Sequence, residues 1–111
     1  MSPRVFLIQG EGLGRGDEQL ATLLMANFLR LLGESADKPI SMIFWNTAVR
    51  LVCTGSPLLD YLRRLEQQGI EILACTTCLE YFGLADKLVV GKPTTMVKSI
   101  QSLCNTEVVS L

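Results

Sequence analysis

Residues 70–82 read Ile70-Glu71-Ile72-Leu73-Ala74-Cys75-Thr76-Thr77-Cys78-Leu79-Glu80-Tyr81-Phe82, directly after Gly69. Ile70 to Ala74 is a short, largely apolar run behind a glycine, the pattern of a strand covered on both faces. The residues from about Thr77 to Phe82 suit a short helix. A strand that passes straight into a helix, with two cysteines three positions apart at the junction, is the core of a β-α unit.

The same alternation extends outward in both directions. Val5 to Ile8 reads as a strand, and Asp17 to Leu32 as a helix that Asp17 caps and that stops at Gly33. On that helix Leu20, Leu24, Phe28 and Leu31, with Leu23 and Leu32, recur at helical spacing and define the expected buried face. Pro39 precedes a second strand, Ile40 to Trp45. Leu51-Val52-Cys53 fits a short strand or a buried loop. Ser56 is the expected N-cap of the next helix and Pro57 its first residue. Leu58, Leu62 and Leu65 line one face of it, and Gly69 closes it. Leu88 to Val90 is the expected fourth strand. Thr94 or Thr95 then caps a helix carrying Met96, Val97, Ile100 and Leu103, and Val108-Val109 makes a small last strand.

This order predicts one α/β domain over residues 1–111, a three-layer α/β/α fold with a mainly parallel five-stranded sheet. Right-handed crossovers place every strand-to-helix loop at one edge of such a sheet, where ligands bind. Four loops meet there: Gly10 to Gly16, Asn46 to Ala48, Cys75 to Cys78, and Gly91 to Thr95.

Composition narrows the function. The chain has 111 residues, 49% hydrophobic and 19% charged, which excludes a disordered polymer. Lys+Arg is 10 and Asp+Glu is 11, so no basic excess exists for nucleic acid. The count of His is 0, which removes Ser-His-Asp and Cys-His nucleophile pairs and imidazole zinc sites within the chain. The longest apolar stretch, residues 20–32, is broken by Thr22, Asn27 and Arg30, too short and polar for a membrane span. Met1-Ser2-Pro3-Arg4 does not read as an export signal. A reducing cytoplasm is therefore expected, where cysteines stay unpaired.

Cys75 and Cys78 carry the chemistry. A cysteine at the start of a helix is stabilised as thiolate, so one or both thiols are expected to have lowered pKa. Their spacing also allows a mutual disulfide. The plain alternative is two small buried residues at a packed corner. Cys53 and Cys104 read as core or helix-face residues, because their spacing to Cys75 and Cys78 matches no paired zinc knuckle. No metal or cofactor is called for.

Gly10-Glu11-Gly12-Leu13-Gly14-Arg15-Gly16 places glycine at every second position, which is no phosphate-loop spacing, and Glu11 and Asp17 would repel a pyrophosphate. Gly14 and its neighbours could instead let backbone approach the cysteines. Asn46-Thr47-Ala48-Val49 offers hydrogen bonds at the end of the second strand. Lys92 could bring a cation to the same edge. A capping role for Asn46 and a solvated Lys92 are the plain alternatives.

The order of these pieces resembles the DsrE/DsrF-like family, and within it the DsrE-like C-terminal domain of YedF-type selenium-metabolism proteins. The resemblance rests on Leu13-Gly14-Arg15-Gly16-Asp17, Phe44-Trp45-Asn46, Gly55-Ser56 and Gly69-Ile70-Glu71-Ile72-Leu73. It continues through Cys75 to Cys78, Val90-Gly91 and Thr95-Met96. It implies an α/β/α fold, homo-oligomeric assembly, and a persulfide on Cys75 with Cys78 as resolving or supporting thiol. The partners it implies are a sulfur donor or acceptor protein, a TusA-like one among them. Thr76 stands where such chains carry Gly, and Ala48 where they carry Gly. The resulting expectation is a sulfurtransferase-like relay supported by Asn46, Lys92, Gly14 and Thr76. Its competitors are a thiol-disulfide switch on Cys75 and Cys78, and a non-catalytic subunit that binds a partner. Leucine-rich helices favour self-association.

Overall fold

Val5, Leu7, Ile43 and Leu73 alternate along their strands with Phe6, Ile8, Met42, Phe44, Ile72 and Ala74. Apolar residues on both sides of a strand demand cover on both sides of the sheet. The computed structural model describes residues 3–111; Met1 and Ser2, where the reading of the N-terminus begins, lie outside the described residues. Its elements are β1 (Arg4–Ile8), α1 (Glu18–Leu32), β2 (Ser41–Phe44), a 3-10 helix (Asn46–Val52), α2 (Leu59–Gln67), β3 (Glu71–Cys75), α3 (Thr76–Tyr81), β4 (Lys92–Thr94), α4 (Met96–Asn105) and β5 (Glu107–Ser110).

The sheet has five strands in the order β4-β3-β2-β1-β5, and every pairing is parallel. The chain steps one way from β1 to β4 and then returns across the whole sheet to β5. Right-handed crossovers therefore put α1, α2 and α3 on one face and α4 on the other. Under α1 and α2, Ile8, Met42, Phe44, Ile72 and Ala74 meet Met25, Leu29, Leu62 and Leu65. Burying Leu62 and Leu65 completely stabilises the fold by about 1.5–3 kcal/mol each. The second face holds a smaller cluster of Val5, Leu7 and Ile43, flanked by Trp45, Leu73 and Val108.

Several local expectations are corrected. On α1 the buried residues are Met25, Leu29 and Leu32, while Leu20, Leu23, Leu24 and Leu31 are exposed. This helix is apolar nearly all round, so spacing alone could not choose the stripe that the sheet selects. On α4, Ser99 is the residue that turns inward, and Met96, Val97 and Ile100 face outward. The fourth strand is Lys92–Thr94, whereas Leu88 contributes only an isolated antiparallel bridge to Cys53. Pro93 cannot donate to a ladder, but β4 is an edge strand, where proline is tolerated. Residues 51 and 52 end the 3-10 helix. Helix α2 begins at Leu59, with Ser56 Oγ accepting from the Leu58 N–H at 3.2 Å one turn earlier. The expected caps at Asp17 and Thr95 are present: Asp17 accepts from the Leu20 N–H, and Thr95 from the Lys98 N–H.

Two contacts set the path into β4. Gly91 has φ +83°, and a Cβ there would lie 2.5 Å from the Ile72 carbonyl oxygen. Only glycine passes this close to β3 in that conformation. The Gly91 N–H donates to Glu66 of α2 at 2.9 Å.

Candidate functional site

The C-terminal ends of β1, β2, β3 and β4 supply Gln9, Trp45, Cys75 and Thr95 to one rim, as the topology requires. Cys75 is both the last residue of β3 and the N-cap of α3. Its Sγ accepts from the Cys78 N–H at 3.4 Å, closing the first turn of α3. Cys78 lies one turn on. Its own Sγ accepts from the main-chain N–H of Asn46 at 3.1 Å.

Asn46 presents that N–H from an unusual backbone. Its φ is +55°, which asparagine tolerates better than most residues. Its Oδ1 accepts from the Thr47 N–H at 2.9 Å and holds the turn. The side chain thus caps, as the plain reading expects, while the main chain meets the sulfur.

The two thiols differ in access. Cys75 is 4% exposed, so the sulfur expected to carry the persulfide is nearly closed to solvent. Cys78 is half-buried. Two grooves flank it and share Asn46, Thr77 and Cys78. One, of about 290 Å³, adds Gln9, Trp45, Cys75 and Met96. The other, of about 410 Å³, adds Tyr81 and Phe82. The pKa of Cys78 is also corrected. Burial pushes the thiol above its ordinary value, and the neighbouring Cys75 thiol adds to the rise. The Asn46 N–H pulls the other way without reversing it.

The remaining expected site residues take other places. Thr76 Oγ donates to the Thr94 carbonyl at 2.8 Å, tying α3 to β4. Lys92 lies within β4, opposite Leu73. It lines a different groove with Glu71, Lys98 and Gln101, on the α4 side of the sheet. Gly14 has φ +84° and shares a fourth groove with Gln9, Gly10, Gly12 and Arg15. Neither Lys92 nor Gly14 lines the two cysteine grooves. Gly12 instead packs on α1, where a Cβ would stand 2.7 Å from that of Ala21.

Cys53 is buried in the main core, and burial raises its pKa. Cys104 is exposed on α4, and all four cysteines are free. Among the described residues no three His, Cys, Asp or Glu side chains gather to hold a metal. Gln9, Trp45, Met96, Tyr81 and Phe82 are groove residues that sequence reasoning passed over. Gln9 and Trp45 each follow a strand directly, so the rule that ligands sit beyond strand ends would have found them. Arg50 stacks over Phe82 at 4.5 Å and lies 3.7 Å from Glu11, bracing the aromatic wall.

Residues 4–105 match the DsrE/DsrF-like family. The chain belongs to the DsrE/DsrF-like family. Solved structures with the same DsrE-like fold include the ychN protein of E. coli, at 18% identity over 100% of both chains and a TM-score of 0.75. Another is the protein of unknown function MTH1491 from Methanobacterium thermoautotrophicum, at 21% identity over 100% of both chains and a TM-score of 0.71. BT1422 from Bacteroides thetaiotaomicron, also of unknown function, aligns at 19% identity over 97% of this chain and 94% of its own, with a TM-score of 0.68. No curated protein sequence matches this DsrE-family chain. Among its described residues no helix is long and apolar enough to cross a membrane.

Proposed function

We propose that this DsrE-family protein relays sulfur through its cysteine pair, with a persulfide resting on Cys75. The observation that carries the reading is the adjacency of two free thiols at the strand-end rim, Cys75 Sγ receiving the Cys78 N–H at 3.4 Å. A donor persulfide, R–S–SH, supplies the sulfur. A protein thiolate attacks its terminal sulfur, one S–S bond forms, the donor S–S bond breaks, and the donor leaves as a thiolate. The acceptor reverses the step. No oxidant or cofactor enters the balance.

The partners of this reading are donor and acceptor proteins, a TusA-like carrier among them, in a reducing cytoplasm. Resemblance to YedF-type chains points to selenium metabolism as the setting. Exposed Leu23 on α1 and Val97 on α4 support a homo-oligomer.

The test is anaerobic incubation with a persulfide donor followed by peptide mass spectrometry. An added sulfur atom resting on the Cys75 peptide is expected. A chain that gains no sulfur at either Cys75 or Cys78 overturns the reading. The same adjacency favours a thiol-disulfide switch as the second reading. That reading predicts a Cys75–Cys78 disulfide across the cytosolic glutathione range instead of a sulfur adduct.

A further inference from the structure

The relay reading leaves open which sulfur meets the donor, and the geometry separates the two candidates. Sulfur transfer needs a nearly linear approach of the attacking sulfur to the donor S–S bond, so the first thiol must stand clear of its own backbone. Cys75 does not meet that condition. It is 4% exposed, it ends a central strand, and its Sγ is held within the turn by the Cys78 N–H. Cys78 does meet it. Its side chain is half-buried and is shared by both grooves. A donor can therefore reach it from the Tyr81–Phe82 side or from the Trp45–Met96 side. Tyr81, 83% exposed, leaves the first of these approaches open.

The Asn46 N–H fixes the Cys78 sulfur from a third direction. That hydrogen bond orients the sulfur toward the grooves' shared wall and offsets part of the rise that burial imposes on its pKa. The left-handed turn at Asn46 presents that N–H to the sulfur, and the asparagine side chain braces the turn.

Resting on the relay reading, we infer that incoming sulfur is taken first by Cys78 and is then handed inward to Cys75, with Asn46 as the positioning residue for the first step. Cys78 gives its proton to water and attacks the terminal sulfur of R–S–SH. The bond in Cys78–S–SH forms, and R–S⁻ departs. The Cys75 thiol next attacks that same terminal sulfur, and its proton passes to the departing Cys78 sulfur. Cys75–S–SH forms, the Cys78–sulfane bond breaks, and the Cys78 thiol is regenerated. The second step returns Cys78 ready for another donor and parks the persulfide where solvent barely reaches.

The experiment uses the full chain in a Cys104→Ser background, because the exposed Cys104 would otherwise take up sulfur by itself. Loading by glutathione persulfide is followed over time by mass spectrometry of the two cysteine positions. Cys75→Ser is expected to hold the added sulfur on Cys78. Cys78→Ser is expected to load Cys75 at least tenfold more slowly than the parent. In the unsubstituted protein, iodoacetamide is expected to label Cys78 at least tenfold faster than Cys75, a measurement that needs no core substitution. Cys78→Ser loading Cys75 at the parent rate, or Cys75 labelling first, overturns the inference and leaves the relay standing. A parent protein that takes up no sulfur removes both.

Discussion

The main-chain N–H of Asn46 donates to the Sγ of Cys78 across 3.1 Å, although the two residues are 32 positions apart. The contact joins the end of β2 to the first turn of α3. It couples a strained backbone turn to the more accessible of two neighbouring thiols, so perturbing either side should be felt by the other.

Substituting Asn46 tests that coupling. Asn46→Ala keeps the N–H but removes the Oδ1 brace, and alanine in the left-handed region costs about 1–2 kcal/mol. Asn46→Gly relieves the backbone strain and should stay within a few tenths of a kcal/mol of the parent, roughly as for other glycine replacements at such positions. Urea midpoints of the two variants should therefore separate, with Ala the lower. Equal midpoints would show that the turn carries no strain.

Stability should fall as the solution becomes alkaline. Burial raises the Cys78 and Cys53 thiols in the folded chain, so the unfolded chain ionises first. Their contribution is complete below the ordinary thiol range, about pH 8.5, and is lost as pH climbs through the raised folded values. Urea midpoints should be flat from pH 6 to 8 and decline above that. Cys53→Ala should start lower but decline less steeply. A steeper decline in Cys53→Ala would contradict the direction of the shift.

Gly91→Ala should destabilise the chain by roughly 1–3 kcal/mol, because the backbone conformation and the Ile72 oxygen both oppose a Cβ. The displaced segment is β4, which pairs Thr94 with Cys75. Hydrogen exchange at the β3–β4 ladder should therefore speed up in the variant. Unchanged exchange there, with an unchanged thermal midpoint, would mean that the close approach relaxes without cost.

The outward apolar stripes on α1 and α4 make the proposed assembly testable. Leu23 is 56% exposed and Val97 is 68% exposed. In sedimentation velocity the parent should run as an oligomer. Leu23→Glu or Val97→Glu should shift it toward the monomer with its helical circular dichroism intact. A parent that sediments as a monomer at high micromolar concentration would remove the assembly.

The strand-helix alternation, the parallel sheet and the convergence of Cys75, Cys78 and Asn46 on one rim were legible in the residues alone. So were the buried face of α2 at Leu58, Leu62 and Leu65 and the caps at Asp17 and Thr95. These features follow from local spacing and local hydrogen bonds, and connection handedness does the rest. Tertiary structure alone decided which stripe of α1 and of α4 turns inward. It also made Lys92-Pro93-Thr94 the fourth strand, carried Lys92 away from the thiols, and left Cys78 more open than Cys75. Periodicity names an element, but its rotation about its own axis is set by what the sheet offers opposite it. A sulfur atom's access and ionisation depend on neighbours drawn from distant parts of the chain, here the N–H of Asn46 and the burial around α3.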